Sequence, residues 1–228
     1  MDNRRIEIAP SILSADFRKL EREVRDAEQA GADRIHCDVM DGRFVPNITF
    51  GQMVVEAVKK SVAIPLDVHL MISEPAKHID GFCRAGADIL TFHAETQTDV
   101  PAALDAIGRH GVKRGITVNP DKPASLFLPF LDRIDQVLVM TVYAGFGGQS
   151  FIAAMLDKID EVYRAAAAAG RMVDIQVDGG INETTAALCA QKGANVLVAG
   201  SYVFGSGDYA GRIRAIRTAA EQAMRRGV

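Results

Sequence analysis

The chain has no tryptophan, 6% aromatic residues and three cysteines among its 228 residues. So few rings mean that the core must be packed with aliphatic side chains. The cysteines (Cys37, Cys83 and Cys189) are odd in number and far apart. That excludes a disulfide framework and a zinc knuckle and points to a reducing, cytoplasmic setting. No run approaches the roughly 18 uninterrupted apolar residues of a transmembrane helix. The opening Met1-Asp2-Asn3-Arg4-Arg5-Ile6-Glu7 lacks the apolar stretch of a signal peptide. There is no basic stripe either: net charge is −3 with both signs interspersed, which argues against nucleic acid or membrane as a partner. With 48% hydrophobic and 24% charged residues, the composition suits one compact domain over residues 1–228.

What is present is a repeating alternation. Short β-branched runs predict strands over residues 6–10, 34–39, 66–70, 88–92, 114–118, 136–142, 173–177 and 196–199. Amphipathic stretches lie between them, the clearest over 152–169 and 209–224. Ala30-Gly31-Ala32-Asp33-Arg34-Ile35, Ala85-Gly86-Ala87-Asp88-Ile89-Leu90 and Lys192-Gly193-Ala194-Asn195-Val196-Leu197 each read as a helix end, a glycine cap and entry into a strand. Alternating units of this number predict a closed (β/α)₈ TIM barrel, with an open doubly wound sheet as the alternative. Pro120-Asp121-Lys122-Pro123 reads as a loop.

Two strands carry an anomaly. In Ile35-His36-Cys37-Asp38-Val39-Met40 the residues His36, Asp38 and Met40 share one face, because strand side chains alternate. In Leu66-Asp67-Val68-His69-Leu70-Met71 the same face holds Asp67, His69 and Met71. The opposite faces are apolar and suit the helix side, where Cys37 is a packing residue. A third strand puts Asp174, Gln176 and Asp178 on one parity, with Asp178 at its end. A single inward histidine is most simply a hydrogen-bonded core residue. Four unpaired polar groups, His36, Asp38, His69 and Asp178, at the active-site ends of strands need a shared partner, since buried charge is expensive. Two imidazoles and two carboxylates suit one divalent transition-metal ion per chain, Zn²⁺ or Fe²⁺ foremost and Mn²⁺ or Co²⁺ next.

Glycines follow the last three strands: Gly145-Phe146-Gly147-Gly148, Gly179-Gly180 and Gly200-Ser201. Glycine lets backbone N–H groups approach a ligand closely, and barrels commonly cradle phosphate after strands seven and eight. These motifs contain no Lys or Arg, so a phosphate would be held by backbone N–H groups and a helix N-terminus.

In order along the chain, Ala9-Pro10-Ser11-Ile12-Leu13-Ser14-Ala15-Asp16, His36-x-Asp38-x-Met40-Asp41-Gly42-x-Phe44-Val45-Pro46-Asn47, Asp67-x-His69-Leu70-Met71, Gly145-Phe146-Gly147-Gly148-Gln149, Val177-Asp178-Gly179-Gly180-Ile181 and Ala199-Gly200-Ser201 resemble the ribulose-phosphate 3-epimerase family. The resemblance implies a phosphate-binding barrel, a phosphorylated ketose substrate and a homo-oligomer. It implies metal ligands His36, Asp38, His69 and Asp178, and an acid/base pair Asp38 and Asp178. It implies substrate contacts at Ser11, His69, Gly145, Phe146, Gly147, Gly148, Asp178, Gly179, Gly180, Gly200 and Ser201, with Met40, Met71 and Met140 as a soft wall. The implied reaction converts ribulose 5-phosphate to xylulose 5-phosphate in the pentose phosphate pathway. A hexulose 6-phosphate such as D-allulose 6-phosphate is the alternative substrate.

One departure stands out. The family usually reads Val-Asn-Pro before Gly-Phe-Gly-Gly, whereas this chain has Val142-Tyr143-Ala144, which bears on loop mobility and substrate length. A decarboxylase or aldolase on a related barrel is a rival reading. It calls for a lysine near the second strand end, where this chain has Asp38-Val39-Met40-Asp41. A non-catalytic sugar-phosphate binder is another, and the carboxylate pair speaks against it.

Overall fold

Eight parallel strands form one sheet in the order β1-β8-β7-β6-β5-β4-β3-β2. They are β1 (Glu7–Ala9), β2 (Ile35–Met40), β3 (Leu66–Met71), β4 (Ile89–His93), β5 (Lys113–Val118), β6 (Gln136–Met140), β7 (Asp174–Asp178) and β8 (Val196–Val198). The two ends meet: His36 donates its N–H to the Pro10 carbonyl at 3.0 Å, Asp33 to Ile8 at 2.9 Å, and Ser11 bridges to His36. The sheet thus curls into the expected (β/α)₈ barrel. This computed structural model describes residues 4–97 and 99–227. Residues 1–3, 98 and 228 of the expected 1–228 domain lie outside the described residues.

The helices are α1 (Leu20–Gln29), α2 (Gln52–Ser61), α3 (Ile79–Arg84), α4 (Val100–Gly108), α5 (Met155–Ala168), α6 (Glu183–Gln191), the one-turn α7 (Ser201–Phe204) and α8 (Tyr209–Gly227). Between β5 and β6 the connection contains two short 3₁₀ turns, Ala124–Leu126 and Leu128–Phe130. Pro120, Pro123 and Pro129 crowd that segment, and each removes a backbone donor that an α-helix needs. Gly31, Gly86 and Gly193, the three repeat glycines, have φ of 96°, 105° and 103°. Each reverses the chain after a helix in the left-handed region that glycine enters without strain.

Strand parity is as the sequence predicts. Ile35, Cys37, Val39, Leu66, Val68 and Leu70 join the main apolar core beneath the helices. Inside the barrel lie small apolar groups: Ala9, Val196 and Val198 in one, Leu138, Met140 and Val142 in another, and Met40, Val45 and Met71 in a third. Most strands match expectation within one residue at each end. β6 is the exception, ending at Met140 instead of 142. Thr141 still donates its N–H to the Asp178 carbonyl, but its own carbonyl accepts from Ile152, both at 2.8 Å. That bond ends the ladder and also holds the chain before α5, which starts at Met155 instead of 152. α8 runs three residues beyond the expected 224.

The lower barrel is filled by a polar plug. Arg34 is 2% exposed. Its guanidinium donates to Glu7 at 2.5 Å, Gln136 at 2.6 Å and Asp174 at 2.6 Å. Gln136 donates to Gln176 at 2.9 Å and to Asp67 at 3.2 Å, and Gln176 donates to the other Asp67 oxygen. Buried polar groups are tolerated when fully paired, and this network leads directly to the histidine above it.

Candidate active site

The C-terminal ends of the strands open into a cavity of about 430 Å³. β2 and β3 pair in register, with His36 beside Asp67, Asp38 beside His69 and Met40 beside Met71. This register stacks the polar side chains in layers on the inner face. His36, Asp38, His69 and Asp178 come together, each with a ligand-capable atom within 4.8 Å of the others. These four could hold a metal ion.

Asp38 is the hub. Its Oδ2 accepts from the Ser11 hydroxyl at 2.6 Å, and its Oδ1 lies 3.2 Å from His36 Nε2 and 3.1 Å from His69 Nδ1. His36 Nδ1 lies 2.9 Å from Asp67 Oδ2. Burial works against charge at Asp38, but the His36 imidazolium beside it, the largest opposing influence, outweighs burial and holds the carboxyl well below its usual range. Burial likewise opposes the His36 imidazolium, and Asp38 and Asp67 overcome it, raising His36 well above its ordinary value. His69 moves the other way, down to about 4, chiefly through burial. Asp178 is pushed up to about 7, first by burial and then by the negative charge of Asp38. Two carboxyls facing one cavity with affinities driven apart are the arrangement for one acid and one base.

The cavity is lined by Ser11, Asp38, Asp178, the three methionines Met40, Met71 and Met140, and every glycine-loop residue singled out above: Gly145, Phe146, Gly147, Gly148, Gly179, Gly180, Gly200 and Ser201. His36 and His69 sit behind this lining with no exposed surface. Gly145, Gly148, Gly179 and Gly180 have φ of 129°, 73°, 120° and 66°. At Gly180 a Cβ would lie 2.7 Å from the backbone nitrogen of Phe151, so only glycine fits that corner. Among the described lining residues there is no Lys or Arg. Tyr143 and Phe146 stand half-exposed over the mouth, and Gln149 ties their loop by donating to the Tyr143 and Phe146 carbonyls at 2.7 and 2.8 Å.

Sequence reasoning missed a further row. His93, on the inner face of β4, puts its Nε2 2.9 Å from His69 Nε2. The signal was there: the parity that selects His36 and His69 selects Thr91 and His93 on β4, with Thr91 paired to His69. Glu95, beyond the strand end, lies 3.3 Å from His93 Nδ1.

The comparison with known proteins bears on this geometry directly. The model of the ribulose-phosphate 3 epimerase family matches residues 7–204. The chain belongs to this family. Its chemistry is therefore epimerisation, and it is an isomerase. A ribulose-phosphate 3-epimerase of Bacillus subtilis is 51% identical over 93% of this chain and 98% of its own length. A family relative from Rhodobacter capsulatus, also a ribulose-phosphate 3-epimerase, is 47% identical over 97% and 99%. A chloroplastic ribulose-5-phosphate-3-epimerase of Arabidopsis thaliana is 47% identical over 92% of this chain and 75% of its own. Among solved structures, 3-keto-L-gulonate-6-phosphate decarboxylase from Vibrio cholerae superposes with a TM-score of 0.70 at 13% identity, covering 96% of this chain and 99% of that one. 3-Hexulose-6-phosphate synthase from Salmonella typhimurium gives 0.66 at 19%, covering 96% and 100%. At such identities the likeness speaks for the barrel alone. No helix among the described residues is long and apolar enough to cross a membrane.

Proposed function

We propose that this chain interconverts D-ribulose 5-phosphate and D-xylulose 5-phosphate by epimerisation at C3, as a step of the pentose phosphate pathway. The observation that carries the reading is the convergence of Asp38 and Asp178, from strands that β1 and β8 separate, on one cluster at a glycine-rimmed cavity. Epimerisation next to a ketone removes the C3 proton from one face and returns a proton to the other. Asp38 takes the proton on one side of the substrate and Asp178 supplies one on the other; in the reverse direction they exchange roles. Between the two transfers the substrate is a planar ene-diolate, against which Met40, Met71 and Met140 form an apolar wall. No redox cofactor enters this scheme.

The donor set fits a divalent ion: His36 and His69 offer nitrogen, Asp38 and Asp178 oxygen, which suits Zn²⁺ or Fe²⁺, and then Mn²⁺ or Co²⁺. The repulsion that helps raise Asp178 is the imbalance a cation would relieve. When bound, such an ion supplies Lewis-acid stabilisation of the negative charge that builds on the substrate oxygens. The substrate phosphate is assigned to backbone N–H groups of Gly179–Gly180 and Gly200–Ser201, with Ser11 and the Gly145–Gly148 loop closing around the sugar. The relatives carry ribulose-phosphate names, which does not favour a hexulose 6-phosphate such as D-allulose 6-phosphate. The three cysteines are free and buried, which supports work in a reducing compartment such as the cytoplasm. Exposed Ile48 and Met53 support assembly into a homo-oligomer within one (β/α)₈ domain per chain.

The test is incubation with ribulose 5-phosphate in D₂O. Deuterium is expected at C3 together with xylulose 5-phosphate, and Asp38→Asn and Asp178→Asn are each expected to abolish the conversion. Conversion without C3 exchange, or full activity in either variant, refutes the two-carboxyl scheme.

A further inference from the structure

Behind His69, away from the cavity, runs a row of polar groups that the proton-transfer scheme does not use. His69 Nε2 and His93 Nε2 are 2.9 Å apart, and His93 Nδ1 is 3.3 Å from Glu95 Oε1. Both imidazoles are fully buried. Phe44 packs against the His93 ring with centroids 4.6 Å apart. The same Glu95 oxygen accepts the backbone N–H and the side-chain amide of Asn119 at 2.9 and 3.1 Å.

The hydrogens in this row have few consistent arrangements. An oxygen that already takes two donors from Asn119 is an acceptor, so the hydrogen between it and His93 belongs to Nδ1. Neutral His93 then has its lone pair on Nε2. That lone pair faces His69 Nε2, so His69 carries its own hydrogen there. What remains on neutral His69 is a lone pair at Nδ1, the atom 3.1 Å from Asp38. Beside a carboxylate alone, His69 would adopt the opposite tautomer, donate Nδ1–H to Asp38 and keep its lone pair on Nε2, turned away from the cluster.

We propose that His93 and Glu95 are positioning residues that lock His69 in its Nε2–H tautomer and so aim its Nδ1 lone pair at the metal cluster. This rests on the reading of that cluster as a metal site. His36 receives the same support in one step, its Nδ1 facing Asp67 at 2.9 Å. For His69 the carboxylate acts from one imidazole further away. Ligand histidines are commonly oriented this way, and loss of such support typically weakens metal binding by about 10- to 100-fold.

Two measurements test it. Nitrogen–proton correlation spectra of the histidine rings, taken on the metal-free protein in mildly alkaline buffer, are expected to show hydrogen on Nδ1 of His93 and on Nε2 of His69. Competition against a chromophoric chelator gives the Kd for Zn²⁺ and for Mn²⁺. His93→Phe and Glu95→Ala are each expected to raise it about 10- to 100-fold. Glu95→Gln, which keeps a carbonyl oxygen for His93, is expected to stay near the wild-type value. Hydrogen found on Nε2 of His93 overturns the proposal, and this readout needs no variant to fold. Wild-type affinity in folded His93→Phe and Glu95→Ala overturns it while leaving the metal site standing. A wild-type protein that takes up neither ion overturns the metal reading and this inference together.

Discussion

Replacing Asp178 by asparagine removes a proton acceptor whose affinity the barrel has raised, and the effect on the metal-free protein follows from that shift. The carboxyl moves from an ordinary 3.8 to about 7 because of burial and the nearby Asp38 charge. Below about pH 4 both folded and unfolded chains hold the proton, and the shift contributes nothing. Between about 4 and 7 the folded state keeps a proton that the unfolded state has released, so stability falls as pH rises. At about 1.4 kcal/mol per pH unit the loss reaches about 4 kcal/mol above pH 7. Asp178 keeps partial access to the cavity, and solvent there trims this to about 2–4 kcal/mol. Asparagine has the same shape and no titration in this range. The stability of Asp178→Asn relative to wild type should therefore climb by about 2–4 kcal/mol between pH 4 and pH 8, while turnover is lost. Urea denaturation over a pH series in the presence of chelator measures it. A difference that stays flat with pH would refute the account of Asp178 as a strained, proton-holding carboxyl.

Other outcomes follow from the same structure. Metal affinity should drop as pH falls below about 7, because a proton on Asp178 then competes with the ion; chelator competition at several pH values reads this directly. Stripping the metal should abolish turnover, and adding back Zn²⁺, Fe²⁺, Mn²⁺ or Co²⁺ should restore it to differing degrees. Arg34→Met should destabilise the fold by about 3–5 kcal/mol, because it leaves Glu7, Asp174 and Gln136 without their shared donor; thermal unfolding checks it, and a change under 1 kcal/mol would deny the plug its structural role. Gly180→Ala forces a side chain onto Phe151 at a φ of +66° and should raise KM for the sugar phosphate at least tenfold, measured by steady-state kinetics against inorganic phosphate as competitor.

The sequence spoke clearly wherever the pattern was local. Alternation along β2 and β3 separated the helix-facing residues from the inward ones, and Gly31, Gly86 and Gly193 marked three helix ends through a backbone geometry only glycine takes easily. The four-residue cluster was legible because each member sits on an inward parity, although only Asp178 ends its strand: Asp38 and His69 lie in mid-strand and His36 near the start of β2, one layer below the mouth. His93 obeys the same rule on β4 and was passed over because Ile89-Leu90-Thr91-Phe92-His93 has a lone histidine at its end, which local pattern cannot distinguish from an ordinary core residue. The plug was less accessible: Arg34 and Gln136 are 102 positions apart, and no local periodicity links them. The end of β6 was also set at a distance, by the bond from Ile152 to Thr141.

The cavity's lack of cationic side chains has a consequence for how this site tolerates change. If the anion it receives is held by main-chain N–H groups, almost no side-chain substitution can delete a phosphate contact outright, since every residue type except proline supplies the same donor. Vulnerability then concentrates in a handful of positions where the backbone path itself depends on glycine, Gly179 and Gly180 foremost. Random mutagenesis should find the rim permissive at Tyr143, Phe146 and Ser150 but closed at those glycines, so that the substrate's sugar end is free to be re-specified while its phosphate end stays fixed.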